Sequence, residues 1–300
     1  MTANIIDGAL IAEKLRADIK LRAAAFTGKM GYPPGLGAVF AGDNPASAQY
    51  VRMKRRACEQ VGIYSVAHLM PDTCTQEEVE AAVKLLNDDP RIHGILVQLP
   101  LPKQIDEEAV LRRVSLDKDV DGFHPVNIGL LGMKGREQTF TPATRPGCRV
   151  LVESAGVNLE GANAVVIGRS NIVGLPVALM LMKANATVTV CHSRTRDIAH
   201  HVREADVVVA AIGKPHFVQG SWLKPGAVVI DVGTNRIDDP DDPRGYRFVG
   251  DVDFESALQV AGAITKVPGG VGPMTISMLL ANTMKAAERF SGMTLSDTEG

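Results

Sequence analysis

The sequence predicts an α/β protein of two domains, with parallel sheets. Three observations predict it. Short apolar runs alternate with segments of helical spacing in both halves of the chain, the pattern left by parallel strands joined through helices. A stretch rich in Gly, Pro and Thr, residues 124–147, separates the two series. The second series contains Ala164-Val165-Val166-Ile167-Gly168-Arg169-Ser170-Asn171-Ile172-Val173-Gly174-Leu175-Pro176, an apolar run that meets a glycine, turns and enters another apolar segment.

In order along the chain, Asp7 to Ala25 carries helical spacing through Leu10, Ile11, Leu15, Ile19 and Leu21. Glycines and prolines from Gly28 to Gly35 break it. Leu36 to Phe40 reads as a strand, Ala46 to Val61 as a helix and Tyr64 to Leu69 as a second strand. Thr75-Gln76-Glu77-Glu78 has capping-box spacing and opens a helix through Leu86. Ile92 to Leu99 is a third strand. These elements make a first domain over 1–123, a three-layer α/β unit. A helix from about Gly147 to Ala155 leads into a second domain over 147–273, with strands at Ala164–Ile167, Thr187–Cys191, Asp206–Ile212 and Ala227–Val232. Asp238 to Arg244 is a hydrophilic excursion, read as a loop. A final helix, about 274–290, is expected to pack back on the first domain.

Composition narrows the function. At 300 residues, 45% hydrophobic and 22% charged, the chain suits one large or two modest globular domains. A net charge of −2 provides no field for nucleic acid or an anionic membrane. No apolar stretch approaches a membrane span, and the N-terminus has no basic region followed by an apolar one. The four cysteines are scattered without a C-x-x-C pair, so neither zinc nor a disulfide framework is indicated. Adjacent His200 and His201 would point about 100° apart on a helix and chelate poorly. A soluble cytoplasmic protein without a metal is the simplest expectation.

The turn from Gly168 to Gly174 gives the second domain a Rossmann-like character. Such a turn aims backbone N–H groups and a helix N-terminus at a phosphate or diphosphate. The spacing departs from G-x-G-x-x-G, because Ser170 stands where the middle glycine would be and the last glycine comes one residue late. The following strand, Thr187–Cys191, runs into His192-Ser193-Arg194-Thr195-Arg196 without an acid. A carboxylate there would hold a ribose 2′-hydroxyl and repel a 2′-phosphate. Arginines 194 and 196, with Arg169 in the first turn, suit the phosphate. The expected cofactor is NADP, not NAD.

Ligands of open α/β sheets sit beyond the carboxyl ends of the strands. In the first domain this singles out Tyr50 and Lys54, which share a helix face at i, i+4, together with Gln98 at a strand end and Asp121 in Lys118-Asp119-Val120-Asp121-Gly122-Phe123. Taken singly, each also fits an ordinary structural role, and either Asp119 or Asp121 could shape the turn.

Together, these segments resemble one family. Tyr50-Val51-Arg52-Met53-Lys54, Gly94 to Pro102 (GILVQLPLP), Lys118 to Phe123, Gly168-Arg169-Ser170, Val173 to Pro176, Cys191-His192-Ser193, Asp231-Val232-Gly233 and Pro268 to Thr275 (PGGVGPMT) resemble the bifunctional methylenetetrahydrofolate dehydrogenase/methenyltetrahydrofolate cyclohydrolases, in the same order along the chain. The resemblance implies NADP-dependent oxidation of 5,10-methylenetetrahydrofolate and hydrolysis of the methenyl product to 10-formyltetrahydrofolate, in a cleft between the two domains of a homodimeric enzyme. It implies that Lys54 is the catalytic lysine with Tyr50 beside it, that Gln98 assists Lys54, and that Asp121 anchors the pterin. Val97, Leu99 and the loop Pro268, Gly269, Gly270, Val271 and Gly272 would complete the folate contacts. Gly168, Arg169, Ser170, Ser193 and Thr234 would contact NADP. The chain departs from the family at Pro142-Ala143-Thr144-Arg145, where Pro-Cys-Thr-Pro is usual; none of the chemistry above is assigned to the missing groups. Another two-domain NADP dehydrogenase, of shikimate or amino-acid type, would share the nucleotide half but not the Tyr50/Lys54/Gln98/Asp121 set. A catalytically silent NADP-binding protein would have no need of those four polar groups.

Overall fold

A computed structural model of the protein describes residues 2–43, 45–136, 140, 142 and 144–293. In chain order the elements are β1 (Asn4–Ile6), α1 (Gly8–Met30), β2 (Gly35–Ala41), α2 (Pro45–Val61), β3 (Tyr64–Met70), α3 (Gln76–Asp88), β4 (Gly94–Val97), α4 (Glu107–Arg113), α5 (Pro125–Leu131), α6 (Thr144–Ser154), β5 (Asn163–Ile167), α7 (Gly174–Lys183), β6 (Thr187–Cys191), α8 (Ile198–Arg203), β7 (Val207–Ala210), β8 (Val228–Asp231), β9 (Asn235–Asp238), β10 (Tyr246–Val249), α9 (Phe254–Leu258), β11 (Ala263–Thr265) and α10 (Val271–Phe290). Two compact units result. One takes the chain from Glu13 to Ala143 and resumes at Ile276; the other takes the first residues through Ala12 and runs from Thr144 to Thr275. Among the described residues no helix is long and apolar enough to cross a membrane.

In the first unit a parallel sheet has the order β3-β2-β4. Every residue of β2 is buried, as expected for a central strand covered on both faces. Val39 and Ala41 pack with Ile95 and Val97 against Val79, Ala82, Val83 and Leu86 of α3. Strand alternation sends Leu36, Ala38 and Phe40 to the opposite face. The capping box reads as the sequence suggests: Thr75 Oγ1 accepts from Glu78 N–H at 3.3 Å, and the Glu78 carboxylate accepts from Thr75 N–H at 2.9 Å. Within this unit α10 is tied to α1 by the Arg22–Glu288 pair, with contacts of 3.0 and 2.7 Å.

In the second unit all six strands of one sheet are parallel, in the order β1-β11-β8-β7-β5-β6. The chain leaves β5 for β6 on one side and returns to β7 on the other, so the order reverses at the β5/β7 boundary. Val165, Ile167, Val208, Ala210, Val229 and Ile264 build its core.

Two features differ from the sequence reading. Residues 4–6 lie in the sheet of the nucleotide unit, not in the domain drawn over 1–123. Asn4, Ile5 and Ile6 pair with residues 263–265, and three residues are too few to show a period. The excursion is a loop over 239–245, as read, but Asp238 and the residues flanking it form an antiparallel hairpin, β9–β10, that the sequence reading lacks. Its strands are charged and only four residues each, with the Arg236 guanidinium 4.0 Å from the centre of the Tyr246 ring.

Candidate active site

Helix α2 turns Val51, Lys54, Cys58 and Val61 inward, the i, i+3, i+4 spacing of a helical face. Lys54 therefore lies on a stripe that is otherwise apolar, and only 9% of it is exposed. Its Nζ donates to Gln98 Oε1 at 3.1 Å. Gln98 follows β4 directly, its backbone N–H bonded to Val39 O at 2.9 Å. The Gln98 amide in turn donates from Nε2 to Leu99 O at 2.8 Å, which directs its oxygen toward the lysine. Val97 is buried at the end of β4, and Leu99 is half-buried. Tyr50, one turn before Lys54, is 37% exposed.

The segment 118–124 is fixed along β4. Ile95 N–H donates to Lys118 O at 2.6 Å. Gly94 makes the approach possible, since a Cβ there would crowd Val120. Lys118 Nζ donates to the carbonyls of Leu86, Asn87 and Asp89, at 3.2, 2.7 and 2.9 Å, closing the end of α3. Asn282 Nδ2 of α10 donates to Val120 O at 2.8 Å. The two acids of the segment then separate. The Asp119 carboxylate accepts from Phe123 N–H, His124 N–H and Asn127 Nδ2 at 3.2, 2.9 and 2.7 Å. The buried Asp121 carboxylate makes no hydrogen bond among the described residues; its charge acts on Lys54.

Burial sets the electrostatics. Loss of hydration lowers the Lys54 pKa, and the charge of Asp121 opposes this more weakly. Burial likewise raises the pKa of Asp121. Asp119 is pushed up to about 7 by burial, against its three donors. The Cys58 thiol, one turn past Lys54, is pushed to about 12 by burial and is therefore no nucleophile at neutral pH. The first unit thus holds an amine that burial drives toward its neutral form, oriented by an uncharged amide, with an unbonded carboxylate nearby.

The second unit places the nucleotide candidates at the carboxyl ends of β5, β6 and β8. Gly168 has φ +122°, and a Cβ there would overlap Ala211 O. A Cβ on Gly174 would overlap Gly168 O, so only glycine lets α7 start against this turn. Ser170 Oγ accepts from the N–H groups of Val173 and Gly174 at the entrance of α7, at 3.2 and 3.4 Å. The N–H groups of Arg169, Ser170, Asn171 and Ile172 have no acceptor among the described residues. Ser193, Arg194 and Arg196 are exposed, and Arg169, Arg194 and Arg196 enter no ion pair among the described residues. Asp197, which follows Arg196, accepts from His200 N–H at 3.1 Å and caps α8. Thr234 is exposed at the base of the hairpin. Pro268, Gly269, Gly270, Val271 and Gly272 also belong to this unit, between β11 and the first turn of α10. Of the departure at 142–145, Ala143 lies outside the described residues, and Arg145 falls in the first turn of α6.

A nucleotide-binding parallel sheet in the same chain as a buried lysine and aspartate with a half-buried glutamine defines a two-domain α/β enzyme of the pyridine-nucleotide dehydrogenase class. Residues 6–121 match the catalytic domain of tetrahydrofolate dehydrogenase/cyclohydrolase, and residues 142–291 match its NAD(P)-binding domain. Bifunctional protein FolD 2 of Arabidopsis thaliana is 54% identical over 97% of this chain and 97% of its own. Bifunctional protein FolD of Moorella thermoacetica is 54% identical over 96% of this chain and 100% of its own. The crystal structure of the Trypanosoma brucei methylenetetrahydrofolate dehydrogenase-cyclohydrolase, complexed with NADP and an inhibitor, superposes with a TM-score of 0.93 at 43% identity, covering 96% of this chain and 98% of that one. The chain belongs to the tetrahydrofolate dehydrogenase/cyclohydrolase family.

Proposed function

We propose that Lys54, Gln98, Tyr50 and Asp121 carry the chemistry of a bifunctional folate enzyme. The chain oxidises 5,10-methylenetetrahydrofolate to the 5,10-methenyl form and hydrolyses that to 10-formyltetrahydrofolate. The single observation that supports the assignment of roles is the buried Lys54 amine, bonded to Gln98 and disfavoured as an ammonium. Removing a hydride from the methylene carbon leaves a delocalised cation, which a fixed ammonium would oppose. A neutral amine does not oppose it, and the same amine then takes a proton from the water that attacks the methenyl carbon. Gln98 holds the amine without adding charge. Asp121, without a hydrogen bond among the described residues, suits the amino and N–H edge of a pterin. Tyr50 offers an aromatic face and a hydroxyl, and Val97, Leu99 and Pro268 to Gly272 are assigned to further folate contacts.

The nucleotide unit fits NADP. The glycine cradle at Gly168 and Gly174 and the N–H groups of residues 169–172, without acceptors among the described residues, suit a diphosphate. Ser193 with the guanidiniums of Arg169, Arg194 and Arg196, which enter no ion pair among the described residues, suits a 2′-phosphate. NADP⁺ supplies the hydride acceptor when bound. Thr234 is assigned to the same ligand. We also place the protein in the cytoplasm as a homodimer that supplies one-carbon units to purine biosynthesis, without nucleic-acid or membrane partners. Light scattering tests the dimer.

One assay tests the reading. With methylenetetrahydrofolate and NADP⁺, absorbance of the methenyl product should rise and then decay to formyltetrahydrofolate, with KM for NADP⁺ about tenfold or more below that for NAD⁺. No turnover of the folate, or a preference for NAD⁺, would overturn it.

A further inference from the structure

The nucleotide unit contains a second pair of buried acids, Asp231 and Asp251, exposed by 3% and 0%. Asp231 ends β8, and Asp251 follows the hairpin. The Asp231 carboxylate accepts from the N–H groups of Gly233, Asp251 and Val252, each at 2.9 Å. Asp251 Oδ2 accepts from Ile212 N–H and Gly213 N–H, at 2.6 and 2.8 Å. Its Oδ1 accepts from Lys214 N–H at 2.9 Å and from Asn235 Nδ2 at 2.8 Å. Two glycines leave room for the carboxylates: a Cβ on Gly250 would overlap Asp231 Oδ2, and one on Gly233 would overlap Asp251 Oδ1.

Three successive N–H groups converging on one carboxylate form an anion nest, a concavity that elsewhere receives phosphate. Here a side chain of the protein fills it. The nest lies immediately after Ala211, whose carbonyl packs on Gly168 and whose N–H donates to Ile167 O at 2.7 Å. The loops after β5 and β7 therefore meet where the strand order reverses, the place where a doubly wound sheet takes its dinucleotide. Through Asn235 the same carboxylate fixes the base of the hairpin, next to Thr234.

We propose that Asp251 is a positioning residue for the cofactor: it ties the loop after β7 and the base of the hairpin into one wall of the NADP site, with Asp231 holding Asp251 in turn. This rests on the reading above that Gly168 and Thr234 contact NADP. Carboxylate bonds to N–H groups are among the stronger hydrogen bonds, and an amide at 251 would turn one N–H₂ group toward donors.

The test uses the full chain and separates its two activities. Hydrolysis of supplied methenyltetrahydrofolate needs no NADP, whereas oxidation does. For Asp251→Asn we expect KM for NADP⁺ to rise about tenfold or more, with KM for the folate and the hydrolysis rate without NADP changed less than about twofold. Asn235→Ala, which removes one of the four bonds, should raise the same KM by about threefold and serves if the first variant fails to fold. An unchanged KM for NADP⁺ in a folded variant, or parallel loss of oxidation and hydrolysis, overturns the positioning role. If the parent chain oxidises no folate with NADP⁺, the functional reading falls first and the proposal with it. If the parent is active and the variants match it, the proposal alone falls.

Discussion

Each unit buries a pair of aspartates, and the pairs differ in one respect. In the nucleotide unit, the oxygens of both Asp231 and Asp251 are occupied by N–H groups of the protein's own loops. In the catalytic unit Asp119 is occupied in the same way, while its neighbour Asp121 has no hydrogen-bond partner among the described residues and faces a lysine. Burial alone therefore does not mark a site. Asp119 and Asp231 are both pushed to about 7, yet both serve the backbone. What distinguishes Asp121 is a largely buried carboxylate with no hydrogen bond among the described residues, which leaves acceptor capacity for a donor-rich ligand.

Substitutions can break or sharpen this contrast. The largest effect is expected at Lys54. Lys54→Met should slow hydrolysis of methenyltetrahydrofolate by about 10²–10⁴-fold, while part of the hydride transfer persists, since that step needs only the absence of positive charge. Equal retention of both rates, measured separately, would remove the amine from the mechanism.

Next comes Asp121→Asn. KM for the folate should rise by about tenfold or more, with KM for NADP⁺ little changed. The substitution also removes the negative charge that raises the Lys54 pKa. That pKa then falls further, so the acid limb of the hydrolysis profile should move to lower pH. A limb that moves to higher pH, or stays in place, would uncouple the two groups.

Asp119→Asn should give the smallest kinetic effect and act on stability instead. It replaces an oxygen that accepts N–H donors with an N–H₂ group, at a cost of about 1–3 kcal/mol. Calorimetry should show a lowered Tm, by about 2–4 °C for each kcal/mol, with KM for the folate within about twofold of the parent. A variant with normal Tm and a raised folate KM would make Asp119 the ligand-facing acid and reverse the contrast.

The sequence was most legible where apolar runs and glycines carry the structure. Strands β2 to β8 follow their apolar runs, and the turn at Gly168 is where the run Ala164–Ile167 meets its glycine. The Tyr50/Lys54 spacing correctly placed both on one helix. Other features depended on partners remote in sequence. Strand β1 is three residues that acquire meaning only beside Ala263–Thr265. The β9–β10 hairpin is rich in charge, and the sequence shows its connecting loop but not its strands, where Arg236 lies over Tyr246. Asp119 and Asp121 are indistinguishable in Lys118–Phe123, since it is Asn127 and the N–H groups of 123 and 124 that separate them. Asp251 lies in no phosphate-loop pattern, and its four donors come from residues 16 or more positions away.

Strand β1 also has a temporal consequence. Asn4 to Ile6 are made well before residues 263–265, their sheet partner among the described residues. Until then one rim of that sheet is missing a strand. A gene fragment starting at Thr144 would leave it permanently so, with the bare N–H and C=O groups of β11 available to pair with another copy. Any attempt to dissect the nucleotide half should therefore carry the first dozen residues along with it.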